Sequence, residues 1–286
     1  MERKIRKNSI KFFRKIYNTG FFLLLLVFLF EAGFMCGKSG DNDLNNKSGS
    51  PDKSEKQNKE QKEEQKPAVY KIIQKEINDT SKKTYRISIG YPQIERLNNA
   101  SQESFNKYVS SLMNSQADSF RINMKSWHTK SEFGSEFDIT DTVVYMSGTI
   151  ISVLFDGYSS FAGTAHPSHF IMSVNYDLAK NKPLTLSDLF TGKYLEIISN
   201  SSINQVIKQK KENSPDEIVD TDIVKEGAAP KEENFRIFNI TSDTLFISFP
   251  EYQVASYAEG EFTAAIPYSS LKTVINPSGP LSEKSK

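Results

Sequence analysis

Between residues 37 and 67 the chain is built almost entirely from Asp, Asn, Lys, Ser, Gly, Glu and Gln, with Leu44 as the one sizeable apolar side chain. Such a segment cannot bury enough apolar surface to offset the entropy lost on ordering it, so no core forms there. The chain is thereby divided into a short N-terminal part and a long C-terminal part joined by a solvated spacer. At about 5–6 Å times the square root of its length, thirty-odd residues of this kind reach roughly 30 Å.

Ahead of the spacer, Arg3, Lys4, Arg6, Lys7, Lys11, Arg14 and Lys15 precede Phe21–Phe30, a run with no polar side-chain atom, which Glu31 ends. As a helix the run spans roughly 15 Å, about half the hydrocarbon thickness of a bilayer. A basic segment followed by a short apolar core is the charge order of an export signal, and residues 1–35 are expected to be a signal peptide. Cys36, the only cysteine, stands just beyond the run and before Gly37-Lys38-Ser39-Gly40. That is the place of the lipid-modified cysteine of a bacterial lipoprotein, although Gly33-Phe34-Met35 follows the usual recognition pattern only loosely. Each buried acyl methylene contributes about 0.8 kcal/mol, so two or three chains hold a protein on a membrane. An uncleaved anchor is the alternative. A sole cysteine also excludes an intrachain disulfide and a thiolate metal cluster.

The net charge of +1 hides an asymmetry. With the seven basic residues of the leader and its Glu2 and Glu31 set aside, 29 basic and 33 acidic residues remain, without a basic stripe. Nucleic-acid binding, which depends on neutralising phosphates, is therefore excluded as an expectation.

Residues 69–275 read as one domain, followed by a flexible tail at 276–286. Val69–Asn78 and Thr84–Tyr91 alternate apolar and polar residues around Asp79-Thr80-Ser81-Lys82, which predicts a hairpin. Phe105, Tyr108, Val109, Leu112, Met113 and Phe120 recur at helical spacing, with Asn99 and Gln102 as its N-terminal cap. Strands are expected from Phe137 to Phe155 around Ser147-Gly148, and again at Phe170–Tyr176. Ser187 is expected to cap a short helical turn, and Tyr194 to Ile207 outlines a second amphipathic helix. A charged connection to Glu233 then leads to Phe235–Ile240 and Thr244–Phe249, a hairpin, and to a last strand at Glu261–Ile266. The order implies an α+β domain, an antiparallel sheet with helices packed on one face.

Four stretches carry a resemblance: Gly163-Thr164-Ala165-His166-Pro167, Asn175-Tyr176-Asp177-Leu178, Leu184–Phe190 and Phe249–Gly260, with Ile266–Leu271 closing the domain. Together they resemble the extracytoplasmic domain family shared by the anti-sigma factor RsiV and the N-terminal region of the peptidoglycan deacetylase PdaC. The resemblance implies an extracytoplasmic α+β domain that binds at the cell wall, with a lysozyme-like protein or a peptidoglycan glycan as partner. It implies neither known output here. About twenty residues before the apolar run are too few for a sigma-binding domain, and no deacetylase module is expected.

The residues themselves offer little catalysis. His166 and His169, with Asp156 or Asp177, form a conceivable metal set and hence a metal-dependent enzyme acting on wall polysaccharide, but Pro167 breaks regular spacing between the histidines. Glu132 with Glu136 and Glu259 with Glu261 are carboxylate pairs that read as solvated surface charges. No serine lies in a nucleophile elbow, and no cofactor is called for. The remaining signal is aromatic: Tyr158 and Phe161 in one glycine-containing loop, Tyr252 and Tyr257 in another. With His166 and His169 these are the expected ligand-binding residues, because tyrosine offers large area, a polar tip and little entropy loss.

Overall fold

The computed structural model describes residues 70–81, 83–97, 99–127, 129 and 134–285. The expected signal peptide, Cys36 and the spacer lie outside the described residues.

The first hairpin forms as its alternation predicts. Strand β1 (Lys71–Asp79) pairs antiparallel with β2 (Tyr85–Glu95), and Ile87, Ile89 and Tyr91 all point into the core. Helix α1 (Asn99–Ser126) follows, with Phe105, Val109, Met113, Ala117 and Phe120 buried along one stripe. Gln102 does reach back over the helix start, accepting from the Leu97 amide at 3.4 Å. Because a helix carries the chain onward, strand β3 (Ser135–Met146) lies parallel to β2, with Tyr85 opposite Ser135. Strands β4 (Ile150–Ser160), β5 (Ser168–Asp177) and the two-residue β6 (Lys182–Pro183) complete a six-stranded sheet in sequence order. Helix α1 covers one of its faces.

The second half builds a smaller three-stranded meander of its own: β7 (Phe238–Ile240), β8 (Thr244–Phe249) and β9 (Phe262–Pro267). The α+β class stands, but with two sheets and one parallel pair in place of one antiparallel sheet. Around the meander pack α2 (Leu186–Leu189), α3 (Tyr194–Asn213) and α4 (Thr221–Gly227). The cap of α2 is Thr185, not Ser187, since Leu186 is already helical and the Asp188 carboxylate accepts from the Thr185 amide at 2.9 Å. The charged connection contains α4, capped by the Asp220 carboxylate on the Asp222 and Ile223 amides. Nor do the described residues of the segment 276–285 trail as a flexible tail. Asn276 donates its amide to the Leu189 carbonyl at 2.8 Å, and Leu281 is buried in the second core.

Both edges of the small sheet are sealed by side chains. On β9, Gln205 of α3 donates to the Ala265 carbonyl and accepts from its amide, both at 2.9 Å, while Gln209 donates to the Thr263 carbonyl. On β7, the Asn175 amide group donates to the Phe238 carbonyl at 2.7 Å. The Ile240 amide donates to Ser152 Oγ and Asn175 Oδ1, and the Phe238 amide donates to Ser173 Oγ. Buried backbone groups left unpaired are costly, so these polar side chains do the work of neighbouring strands and fasten one sheet to the other.

Candidate functional site

Strand alternation decides which side chains of β4 and β5 can reach the second sheet. Gly157 sits opposite Phe170, and a Cβ on Gly157 would lie 2.1 Å from the Phe170 ring. That ring stacks on Phe137 at 5.7 Å in the α1-side core. Asp156, Tyr158 and His169 therefore stand on the opposite face, the one that carries Ser152, Ser173 and Asn175 toward β7. Tyr158 and His169 are direct cross-strand partners, their rings edge to face at 5.5 Å.

Phe161 goes elsewhere. It packs against Trp127 at 4.9 Å and Phe120 at 5.3 Å, and the Trp127 indole donates to the Ala162 carbonyl at 2.9 Å. It anchors the loop to α1 and does not join the other expected binding residues.

Of the remaining rings, His166 comes from the β4–β5 loop and Tyr252 and Tyr257 from the β8–β9 loop, residues 250–260. Its first half is held by Gln253, whose side chain donates to the Gly227 and Asn234 carbonyls at 2.8 Å each. Gly227 is required there, since a Cβ would lie 1.8 Å from the Gln253 carbonyl oxygen. Its second half is a short 3-10 turn, Tyr257–Glu259, closed by the Glu259 carboxylate on the Ser256 amide and hydroxyl at 3.0 Å each. The result is a strip of three rings. Tyr252 lies near-parallel to Tyr257 at 5.8 Å, and Tyr257 lies against His166 at 4.6 Å. The Tyr257 hydroxyl donates to the Pro167 carbonyl at 3.4 Å, joining the two loops. Tyr252 is 65% exposed and has a φ of +68°, a left-handed backbone that a bulky residue seldom adopts.

Charge gathers beside the strip. Burial pushes the Glu251 carboxyl up, against the opposing pull of His169 and His166. Burial also pushes Glu261 up, to about 7, helped by the neighbouring charges of Asp156 and Glu251. Of the carboxylate pairs read from the sequence, Glu259 and Glu261 take separate partners. Glu132 lies outside the described residues and Glu136 faces Arg86 at 3.5 Å. Glu259 is engaged by Lys210 at 2.9 Å, whereas Glu261 sits with Asp156 and Glu251. The conceivable metal set does not assemble either. Asp177 turns away to accept from the Ala179 and Lys180 amides, and among the described residues no group of three His, Cys, Asp or Glu could hold a metal ion. Glu251 was missed as a site residue because the histidines it faces, His166 and His169, lie more than eighty positions away, with no local spacing to betray them.

Fold and site together define an α+β domain of two side-chain-stitched sheets with an aromatic and acidic face where they meet. Among the described residues, no helix is long and apolar enough to cross a membrane. Residues 187–269 match the family described as "Protein of unknown function (DUF3298)". The chain is 28% identical over 197 residues to the peptidoglycan-N-acetylmuramic acid deacetylase PdaC of Bacillus subtilis, over 68% of this chain and 39% of that protein. The chain thus spans about two fifths of the length of this relative, and the expected likeness to PdaC is found. Two solved structures share the fold. A DUF3298 family member from Bacteroides fragilis superposes with a TM-score of 0.58 at 19% identity, covering 77% of this chain and 98% of that one. A second, from Pseudomonas aeruginosa PAO1, gives 0.54 at 16%, covering 74% and 96%.

Proposed function

We propose that residues 70–285 form an extracytoplasmic module that binds a cell-wall glycan on the Tyr252–Tyr257–His166 strip. The observation that carries this reading is the strip itself: rings from two distant loops, aligned and fixed in place, with Tyr252 exposed on a strained backbone. Sugar rings present C–H faces that pack on aromatic planes and rims of hydroxyls and amides that seek acceptors. Asp156, Glu251 and Glu261, with Tyr158 and His169, are placed to supply those acceptors and donors. The PdaC relative is, by its name, a deacetylase of peptidoglycan, which supports the ligand class and not the activity. In this reading the leader exports the chain, lipid on Cys36 holds it to a membrane, and the spacer lets the module reach the wall.

A lysozyme-like cationic protein is the second reading, favoured by the carboxylates crowded beside the strip. Calorimetry of the soluble domain against muropeptides and against lysozyme separates the two. Binding of muropeptides that weakens about tenfold in Tyr252→Ala and in Tyr257→Ala is the expected result. Binding of lysozyme alone moves the assignment to the second reading, and silence toward both, or binding indifferent to both tyrosines, overturns the site.

A further inference from the structure

Among the charged residues near the end of α3, Lys208 and Lys211 are exposed, but Lys210 is buried at 6% exposure. A buried ammonium is costly unless it is paired, so its partners indicate why it is there. Its Nζ donates to Glu259 Oε1 at 2.9 Å and to the Val254 carbonyl at 3.4 Å, and stands 5.9 Å from the centre of the Phe262 ring. Val254 and Glu259 lie on either side of Tyr257, in the two halves of the loop that presents the aromatic strip. The Glu259 carboxylate divides its oxygens: Oε1 takes Lys210, and Oε2 takes the Ser256 amide and hydroxyl that close the 3-10 turn.

From this arrangement we infer that Lys210 is a positioning residue, a single buried cation that clamps both halves of the 250–260 loop and thereby holds Tyr257 in line with Tyr252 and His166. Three observations point the same way. The helix that carries Lys210 is itself fixed to the next strand, through Gln205 and Gln209 on β9, so the clamp has a rigid base. Gln253 holds the first half of the loop and the Tyr257 hydroxyl meets Pro167 in the second, whereas the Lys210 ammonium contacts both halves at once. A charge-assisted bond to a carboxylate that is already capping a turn is directional, so it sets the orientation of Tyr257 and not merely the proximity of the loop. The functional consequence rests on the binding reading above, but the shape of the loop does not.

The test therefore begins without ligand. In the full chain, Lys210→Met keeps the apolar stem and removes the charge, and Glu259→Gln keeps the size and much of the capping while removing the partner charge. Glu259 is partly exposed, so its variant folds even where a buried methionine is poorly accommodated. Amide hydrogen exchange of residues 254–260 should accelerate about tenfold or more in each variant, while exchange of β7 and β8 stays as in the wild type. The ring proton shifts of Tyr252 and Tyr257 should move toward those of free tyrosine. The double variant should add little to either single change, because both break one interaction. Unchanged loop exchange and ring shifts in both variants overturn the inference, as does acceleration spread evenly through the meander, which would mark a generally destabilised fold. Muropeptide titration comes afterwards. A wild-type chain that binds none sinks the binding reading and leaves the clamp judged on exchange and ring shifts alone.

Discussion

Replacing Glu261 by Gln should stabilise this protein, and the gain should depend on pH. In an unfolded chain the Glu261 carboxyl ionises near its ordinary value of 4.5, whereas in the fold burial and the charges of Asp156 and Glu251 raise it to about 7. Between those two values the folded protein keeps a proton that the unfolded chain has released. Stability contributed by this group is therefore intact below about pH 4.5, falls as pH rises through the window, and stays low above pH 7. At about 1.4 kcal/mol for each tenfold change in proton affinity, the full cost is ~3 kcal/mol. Glutamine has nearly the same shape and no charge to desolvate. Urea unfolding of the two proteins from pH 4.5 to pH 8 should show a difference near zero at the acid end and ~3 kcal/mol in favour of Glu261→Gln at the alkaline end. Both proteins share every other titrating group, so the difference isolates this site. A difference that is flat with pH, or a variant less stable than wild type at pH 8, would refute the placement of Glu261 against Asp156 and Glu251. Carboxylates with opposite linkage act in another range: Glu259 and Asp188 lose charge to burial but gain more from Lys210 and Lys182, so their contribution disappears on acidification below their ordinary range.

Two substitutions probe how the site is held. Asn175→Ala removes the donor to the Phe238 carbonyl and the acceptor for the Ser152 hydroxyl at 2.7 Å each, leaving buried polar groups unpaired; a loss of about 2–4 kcal/mol in urea unfolding is expected. Gly227→Ala drives a methyl into the Gln253 carbonyl, a backbone atom that cannot rotate away, so the loop must shift; a loss of about 1–3 kcal/mol should accompany weakened muropeptide binding.

Elements with a strong period were legible in the sequence. The stripe Phe105, Val109, Met113, Phe120 marks α1, and the alternation of Ile87 and Ile89 marks β2, because burial on one face imposes each pattern directly. Helix α4 was not legible: within its seven residues Val224 alone is buried, so there is no stripe to see. The division into two sheets was hidden for a different reason. It depends on Ser152, Ser173, Asn175, Gln205 and Gln209, polar residues whose partners are backbone groups far away in sequence. The candidate site was half legible. Aromatic density pointed to Tyr158, Tyr252 and Tyr257, but the same signal selected Phe161, whose ring belongs to the α1 core. Glu251 carried no local mark at all.

The polar seam also explains how the aromatic strip can be assembled from segments ninety residues apart without becoming loose. Hydrophobic packing between two sheets tolerates sliding, since one methyl is much like another. The hydrogen bond that Asn175 donates to the Phe238 carbonyl, and those that Asn175 and Ser152 accept from the Ile240 amide, do not tolerate it, because a one-residue slip leaves several buried groups unpaired. With β7 fixed, the register of Phe238 with Ile247 fixes β8, and β8 leads into the 250–260 loop, whose Tyr257 hydroxyl meets the Pro167 carbonyl just ahead of β5. The aromatic strip is thus aligned by the fold itself, and for the proposed glycan ligand that alignment would lower the ordering entropy of binding. Polar residues inside this fold are therefore the feature that fixes the geometry of its aromatic surface.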